Sequence, residues 1–318
     1  MSQFTIIRPE DIRNLGLTGA DCMKWIETSF RLKPEAILPH KVSIRAVRES
    51  DYFNTMPCMV PSLNRFSVKL VNKVTGRIPS LNSDILLYDA GGGELLAMMD
   101  GNWITTMRTG AVAVLAARLL EVPGNDVYSF MGLGNVAYAT MECLIAECAG
   151  RNIRVRLLRY KDQAEAFAER FARENVEFSF ADSVEELVRA GGVLFSCITY
   201  AGSLLCPDDS LYPEGILLVP VHNRGFQNCD LFFDRIFGDD REHISGFQYF
   251  DRFRHFAELG DVLTGKVPGR TDASQRIISY NLGLGLHDTV FASRIYDSLA
   301  SAGLQTVDLH KDTRKLFI

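Results

Sequence analysis

The chain has 318 residues, 47% of them hydrophobic and 23% charged, with a formal net charge of −5. That length suits two domains, and the acidic balance speaks against a concentrated basic face for nucleic acid. No uncharged apolar run of about 18 residues or more occurs, so no membrane span is expected, and the opening "MSQFTIIRPEDI" lacks the charged-then-apolar layout of a signal peptide. Seven scattered cysteines without a C-x-x-C pair predict free thiols in a reducing compartment, hence a cytoplasmic protein with no disulfide and no zinc site.

Residues 18–31, "TGADCMKWIETSFR", open at Thr18, a good N-cap, and carry Cys22, Trp25, Ile26 and Phe30 near helical spacing. "FSVKLVN" and "SDILLYD" read as strands, and Gly91-Gly92-Gly93 reads as a hairpin turn into "ELLAMMD". The first hundred residues thus mix helix with an antiparallel sheet. From Asn102 a long helix, "NWITTMRTGAVAVLAARLLE", runs to a break near Pro123-Gly124.

Beyond the break the rhythm changes. Strands "VYSFM", "IRVRLL", "VEFSF", "VLFSCI" and "ILLVPV" alternate with helical segments such as "QAEAFAERFARE" and "SVEELVRA". Apolar strands alternating with helices imply a parallel sheet covered on both faces. The tail, "GLGLHDTVFASRIYDSLA", reads as a helix that packs back on the first domain. The expected fold is α/β: a Rossmann-type doubly wound parallel sheet over 119–290, plus an α+β domain over 1–118 completed by about 291–318.

The turn in "VYSFMGLGNVAYATMECLIAE" holds Gly132, Gly134 and Ala137 in a G-x-G-x-x-A pattern, after a strand and at the start of a helix. That is the context a dinucleotide loop requires. Gly132 permits the tight turn. Gly134 lets backbone amides, at Asn135 and Val136 among others, approach a pyrophosphate at the helix N-terminus. The alternative is a helix-packing turn with no ligand. In NAD-specific proteins an acidic residue about 20 positions on takes the ribose 2′-hydroxyl. Here the next strand ends in Arg159-Tyr160-Lys161, with no carboxylate until Asp162. Arg159 and Lys161 stand where a 2′-phosphate would lie, and Arg159 also suits stacking on adenine. This favours NADP(H) over NAD(H), unless the two are solvated surface cations.

Four further stretches carry a resemblance: "TMPCMVPSLNRFSVKLVNK", "MMDGNWITTMRTGAVAVLAARLL", "LTGKVPGR" and "NLGLGLHD". In this order, over about residues 40 to 300, the chain resembles the ornithine cyclodeaminase/mu-crystallin family. The resemblance implies a homodimer with an N-terminal substrate-binding and dimerisation domain and a Rossmann domain after it. It also implies a nicotinamide cofactor used at carbon–nitrogen bonds. Members include ornithine cyclodeaminase, alanine and arginine dehydrogenases, ketimine reductases and enzymes that build amino-acid conjugates. Mu-crystallin itself also serves as a hormone-binding protein.

By resemblance Lys69, in the apolar "FSVKLV", matches the active-site lysine that contacts the substrate carboxylate and the reacting centre. The residues alone leave open a solvated strand face. Arg45 matches the arginine that clamps the carboxylate, a task its planar fork suits, with a surface salt bridge as the alternative. Arg108 matches the arginine that reaches the substrate carboxylate near the cofactor, and Thr109 the residue that touches the dinucleotide. Cys197 and Thr199, where the chain leaves "VLFSCI", are expected to line the cofactor site. Asp288 is expected to cap or pair structurally.

The departure lies in "LLVPVHNRGFQNCD". The family usually carries an Asp here that works as general acid or base on the substrate amine, and Asn223 takes its place. An asparagine positions an amine or a water but exchanges no proton near neutrality. His222, with an unperturbed pKa near 6.5, is able to exchange one, with a helix-cap or loop histidine as the alternative. Asp230 falls too late in the loop to match.

The leading expectation is therefore an NAD(P)(H)-dependent oxidoreductase acting on a carbon–nitrogen bond of an amino or imino acid. The alternatives are ornithine cyclodeamination, in which the hydride is returned and ammonia leaves, and a mu-crystallin-like protein that holds NADPH and a small ligand without turnover.

Overall fold

The computed structural model describes residues 3–45, 48 and 51–309, so the end of the expected completion at 291–318 lies outside the described residues from 310 on. In chain order the elements are β1 (Gln3–Ile7), α1 (Pro9–Asn14), α2 (Gly19–Leu32), β2 (Val42–Arg45), β3 (Tyr52–Val60), β4 (Arg65–Lys73), β5 (Leu81–Asp89), β6 (Leu95–Asp100) and α3 (Asn102–Leu120). Then follow β7 (Val127–Met131), α4 (Asn135–Glu147), β8 (Ile153–Leu158), α5 (Gln163–Arg170), β9 (Val176–Ala181), α6 (Val184–Arg189), β10 (Val193–Ser196) and β11 (Leu217–Pro220). The described residues close with α7 (Cys229–Phe232), β12 (Arg235–Gly238), α8 (Arg241–Ile244), β13 (Phe256–Glu258), α9 (Leu259–Leu263), β14 (Ile277–Tyr280), α10 (Gly285–Ser298) and β15 (Thr306–Asp308).

Two units emerge. The first gathers residues 1–17, 32–105 and 284–318; the second gathers 18–31 and 106–283. The chain therefore divides near 105 and 283, inside or beside helices that the hydrophobic rhythm reads as whole. Residues 18–31 join the second unit, where Glu27 of α2 meets Arg118 of α3 at 2.8 Å. Thr18 opens α2 as the sequence suggests: its Oγ1 accepts the Asp21 N–H at 3.3 Å, and its own N–H donates to Asp21 Oδ2 at 3.0 Å.

The first unit is built on a seven-stranded sheet in the order β15-β1-β6-β5-β4-β3-β2. β2 to β6 form antiparallel neighbours, and the glycine run after Asp89 makes the β5–β6 turn, as expected. Directly paired residues share a face of the sheet. Met56, Lys69 and Ile85 align on one face, and Cys58, Ser67 and Leu87 follow beside them. α10 packs across β3, β4 and β5 and covers this face. The opposite face carries Ile44 beside Phe53, and Pro57, Val68, Leu86 and Met98 in register. An antiparallel sheet with a solvated face would alternate to polar there. This one does not: Val42, Ile44, Phe53 and Met98 are exposed.

The second unit is a wholly parallel eight-stranded sheet in the order β13-β12-β14-β11-β10-β7-β8-β9. Read outward from β7 through β8 and β9, then from β10 through β11, it is the doubly wound arrangement, with the order reversing between β7 and β10. Strands buried on both faces must be apolar throughout. β10, β11 and β14 are buried at every position, and Leu194, Leu218 and Ile278 share a core with Phe226, Phe233 and Tyr280. Among the described residues, no helix is long and apolar enough to cross a membrane.

Candidate active site

In the second unit the glycine turn follows β7 at the point where the strand order reverses. Gly132 has φ +76°, and a Cβ there would lie 2.5 Å from the Ile198 nitrogen, so only glycine lets the chain leaving β10 pass. Gly134 is the N-cap of α4, in extended conformation and with no side-chain cap. Nothing lies within 4 Å of where its Cβ would stand. The first-turn amides of α4, from Asn135 and Val136 onward, thus face an open approach, which suits a phosphate at a helix N-terminus.

Cys197 lies against this turn, its N–H donating to the Met131 carbonyl at 2.9 Å and its Sγ 3.9 Å from Thr140 Oγ1. Burial pushes the thiol up to about 12, so it lines the turn as a neutral group. Thr199, two residues on, is exposed.

Arg159 and Lys161 stand at the end of β8 as expected, both exposed. Arg159 Nε lies 3.1 Å from Glu165 and Nη1 lies 3.2 Å from Asp182, with the guanidinium 4.7 Å over the Phe180 ring. Lys161 adopts φ 53° and places Nζ 5.4 Å from the Tyr160 ring centre. Two carboxylates therefore already meet the arginine that the sequence sets aside for a 2′-phosphate.

Arg108 and Thr109 of α3 are both buried. A Cβ on Gly283, at φ +82°, would fall 1.5 Å from Arg108 Nη1. That glycine is what makes room for the guanidinium. Its N–H donates to Oδ2 of the fully buried Asp239 at 2.5 Å.

In the first unit Lys69 points inward under α10, with no exposed surface, and its Nζ lies 2.6 Å from Asp288 Oδ2, equally buried. Ser67 Oγ and Thr289 Oγ1 meet beside the pair at 2.7 Å. Arg45 pairs with Tyr52 across β2 and β3, on the same sheet face as Met56 and Lys69. It is exposed, and its charge opposes the burial that raises the Tyr52 phenol.

On the loop after β11, His222 Nδ1 lies 2.6 Å from the Arg224 carbonyl. A carbonyl only accepts, so the proton sits on Nδ1, and Nε2 accepts from Ser196 Oγ at 2.6 Å. Burial pulls the imidazole down to about 4, against the opposing pull of the Arg224 carbonyl. The near-neutral ionisation expected of His222 is thus displaced, because the ring is locked as a neutral tautomer. Asn223 is exposed beside it. The near-neutral group is Asp230: burial pushes its carboxyl up to about 7, although Tyr280 Oη donates to Oδ1 at 2.7 Å. Sequence spacing sets Asp230 aside, and nothing in the linear pattern marks Ser196 or Asp239.

A profile of the ornithine cyclodeaminase/mu-crystallin family matches residues 6–303. The chain belongs to this family. It is 28% identical over 274 residues to the ketimine reductase mu-crystallin of Mus musculus, covering 83% of this chain and 85% of the relative. Among solved structures with the same family fold, the Thermococcus litoralis Δ1-pyrroline-2-carboxylate reductase in complex with NADH and L-proline has a TM-score of 0.84 at 20% identity, covering 96% of this chain and 100% of the other. An archaeal alanine dehydrogenase dimer with bound NAD has a TM-score of 0.81 at 21% identity, over 96% and 99% of the two chains.

Proposed function

We propose that the chain is an enzyme acting on the carbon–nitrogen bond of a small amino or imino acid with a nicotinamide dinucleotide: an imine reductase or an amino-acid dehydrogenase. The observation that carries this reading is the Lys69–Asp288 pair, a fully buried ammonium 2.6 Å from a fully buried carboxylate. A buried ion pair seldom stabilises more than apolar residues of the same volume. Its position is better explained by use: an ammonium in a water-poor place neutralises an α-carboxylate and polarises an imine or its hydrate. The mouse relative, a ketimine reductase by name, supports the same chemistry.

In this reading Arg45 and Lys69, on one face of the first unit's sheet, hold the substrate carboxylate. Asp288 fixes the direction of the Lys69 ammonium. Arg108 is the buried guanidinium that the second unit offers to substrate or cofactor anions. Gly132, Gly134, Asn135 and Val136 receive the pyrophosphate, while Thr109, Cys197 and Thr199 line the cofactor's path. When bound, the dinucleotide supplies hydride transfer at nicotinamide C4. Asn223 positions an amine or a water, and neutral His222 holds Ser196 and the loop in place.

The cofactor form is proposed as NADP(H), with NAD(H) as the alternative, on the strength of Arg159 and Lys161. Glu165 and Asp182 work against it, since a 2′-phosphate must draw Arg159 from them. The apolar outer face of the first sheet supports a homodimer, because exposed Ile44, Phe53 and Met98 need covering. All seven cysteines are buried free thiols, which supports the cytoplasm as location.

The deciding experiment screens amino acids, and 2-oxo acids with amines, against both cofactors while recording nicotinamide absorbance and ammonia together. Net absorbance change is the expected result. Ammonia release from ornithine without it indicates cyclodeamination, and tight NADPH binding without turnover indicates a mu-crystallin-like carrier.

A further inference from the structure

Asp239 is fully buried, and Arg108 keeps 4% of its surface exposed. Both belong to the second unit, and one glycine joins them. Asp239 follows β12 directly, and Gly283 comes three residues after β14, the neighbouring strand of the sheet. The Gly283 N–H donates to Asp239 Oδ2 at 2.5 Å. A Cβ on the same glycine would fall 1.5 Å from Arg108 Nη1 and 2.4 Å from its Cζ. The guanidinium therefore rests on the residue whose amide Asp239 holds. Two covalent bonds of the glycine separate these contacts, so Oδ2 and Nη1 stand no more than roughly 7 Å apart.

The seat is fixed by the ends of three strands. The Asp239 N–H donates to the Tyr280 carbonyl at 3.3 Å, and the Asn281 N–H to the Pro220 carbonyl at 3.2 Å. Asn281 Nδ2 donates in turn to the Ser279 carbonyl at 3.0 Å. Residues 281–283 are thus strung between β11, β12 and β14. The adjacent Asp240 has a structural task, since it caps α8 by accepting the His243 N–H at 3.1 Å. Asp239 is different. Holding one amide needs only a neutral acceptor, whereas a buried carboxylate is costly without an opposite charge. The cation resting on the same glycine accounts for it.

An arginine fork binds an anion well only when its donors already point one way. We propose that Asp239 is a positioning residue for Arg108. It fixes Gly283 beneath the guanidinium and supplies the negative charge that seats it, so that the remaining donors meet an anion without reorientation. That this anion belongs to a substrate or a dinucleotide rests on the function proposed above; the seat itself does not.

Truncation in R108A leaves a slot shaped for a guanidinium. The test is calorimetric titration of R108A without nucleotide, using ethylguanidinium and its neutral isostere ethylurea. Ethylguanidinium is expected to bind R108A at least about tenfold more tightly than ethylurea, as a charge-assisted contact should. The unmodified protein, whose own arginine fills the slot, should show no such preference, and R108A with D239N should bind both probes alike. The comparison of the two probes on R108A needs no change at Asp239, so a D239N that fails to fold does not spare the proposal. No binding to R108A, equal binding of the two probes, or an undiminished preference in a folded R108A with D239N overturns it. With a substrate found in the absorbance screen, ethylguanidinium should restore turnover to R108A and none to R108A with D239N. D239N alone should lower kcat/KM, yet add no loss to R108A; a loss that adds in full would show that Asp239 only holds the fold, and overturns the positioning role. The titration uses neither substrate nor nucleotide, so its failure stands apart from failure of the proposed reaction, which shows only in the screen.

Discussion

Replacing Asp288 with Ala leaves the Lys69 ammonium in a place with no exposed surface and removes the carboxylate 2.6 Å away. Breaking one side of a buried pair typically costs about 3–5 kcal/mol, because the remaining charge stays desolvated. With an unfolding entropy of about 2.1 cal/mol/K per residue over 318 residues, each kcal/mol lowers Tm by roughly 1.5 °C, so a fall on the order of 4–8 °C is expected. Lys69→Met with Asp288→Leu removes both charges and fills the volume, and should recover most of the loss, as apolar replacements of buried pairs often do. Equilibrium urea denaturation of wild type, Lys69→Met, Asp288→Leu and the variant carrying both closes a double-mutant cycle. A coupling of several kcal/mol is expected. Single losses below about 1 kcal/mol that simply add would show that the two side chains do not share a desolvated contact, and would remove the basis for treating Lys69 as a held ammonium.

Gly283→Ala should displace the Arg108 guanidinium, since the new Cβ would stand 1.5 Å from Nη1 at a φ of +82°. Turnover should fall as far as in Arg108→Ala; unchanged kinetics would show that Arg108 needs no such space. Arg159→Ala with Lys161→Ala should weaken NADPH more than NADH in fluorescence titrations, and equal losses or a wild-type preference for NADH would refute the NADP(H) reading. His222 binds its proton in the unfolded chain near 6.5 but in the folded chain only near 4. The unfolded state therefore holds more protons between these values, and this residue's contribution to stability falls as pH drops from 6.5 to 4. His222→Gln should reduce that fall in urea midpoints, and a wild-type activity ionisation near 6.5 that vanishes in this variant would contradict the neutral tautomer. Ile44→Asp with Phe53→Lys should shift sedimentation toward monomer, and an unchanged species would exclude the apolar face as the dimer contact.

Much of this molecule was written locally. Period-two runs such as "IRVRLL" became β8 at the same limits, and Asn102 began a helix that ended within a residue of its expected end. Gly132 and Gly134 could be read because a turn of that kind admits few other residues, and the strand before it and helix after it confirm the context. The short strands Arg235–Gly238, Phe256–Glu258 and Ile277–Tyr280 were not legible. Three or four residues show too little periodicity, and only pairing with neighbours completes the sheet.

The polar groups of the site depended on the tertiary structure for a further reason. Lys69 and Asp288 stand 219 positions apart in sequence, and whether a strand lysine faces water or a helix is a matter of which face α10 covers. Ser196 and His222 come from different strand ends, and their meeting fixes the tautomer. Spacing alone assigned proton exchange to His222 because its intrinsic pKa is right. Burial separates the two groups, since desolvation drives a base down and an acid up, moving His222 to about 4 and Asp230 to about 7. Sequence determines which residues can carry charge; burial determines which of them carry it near neutral pH.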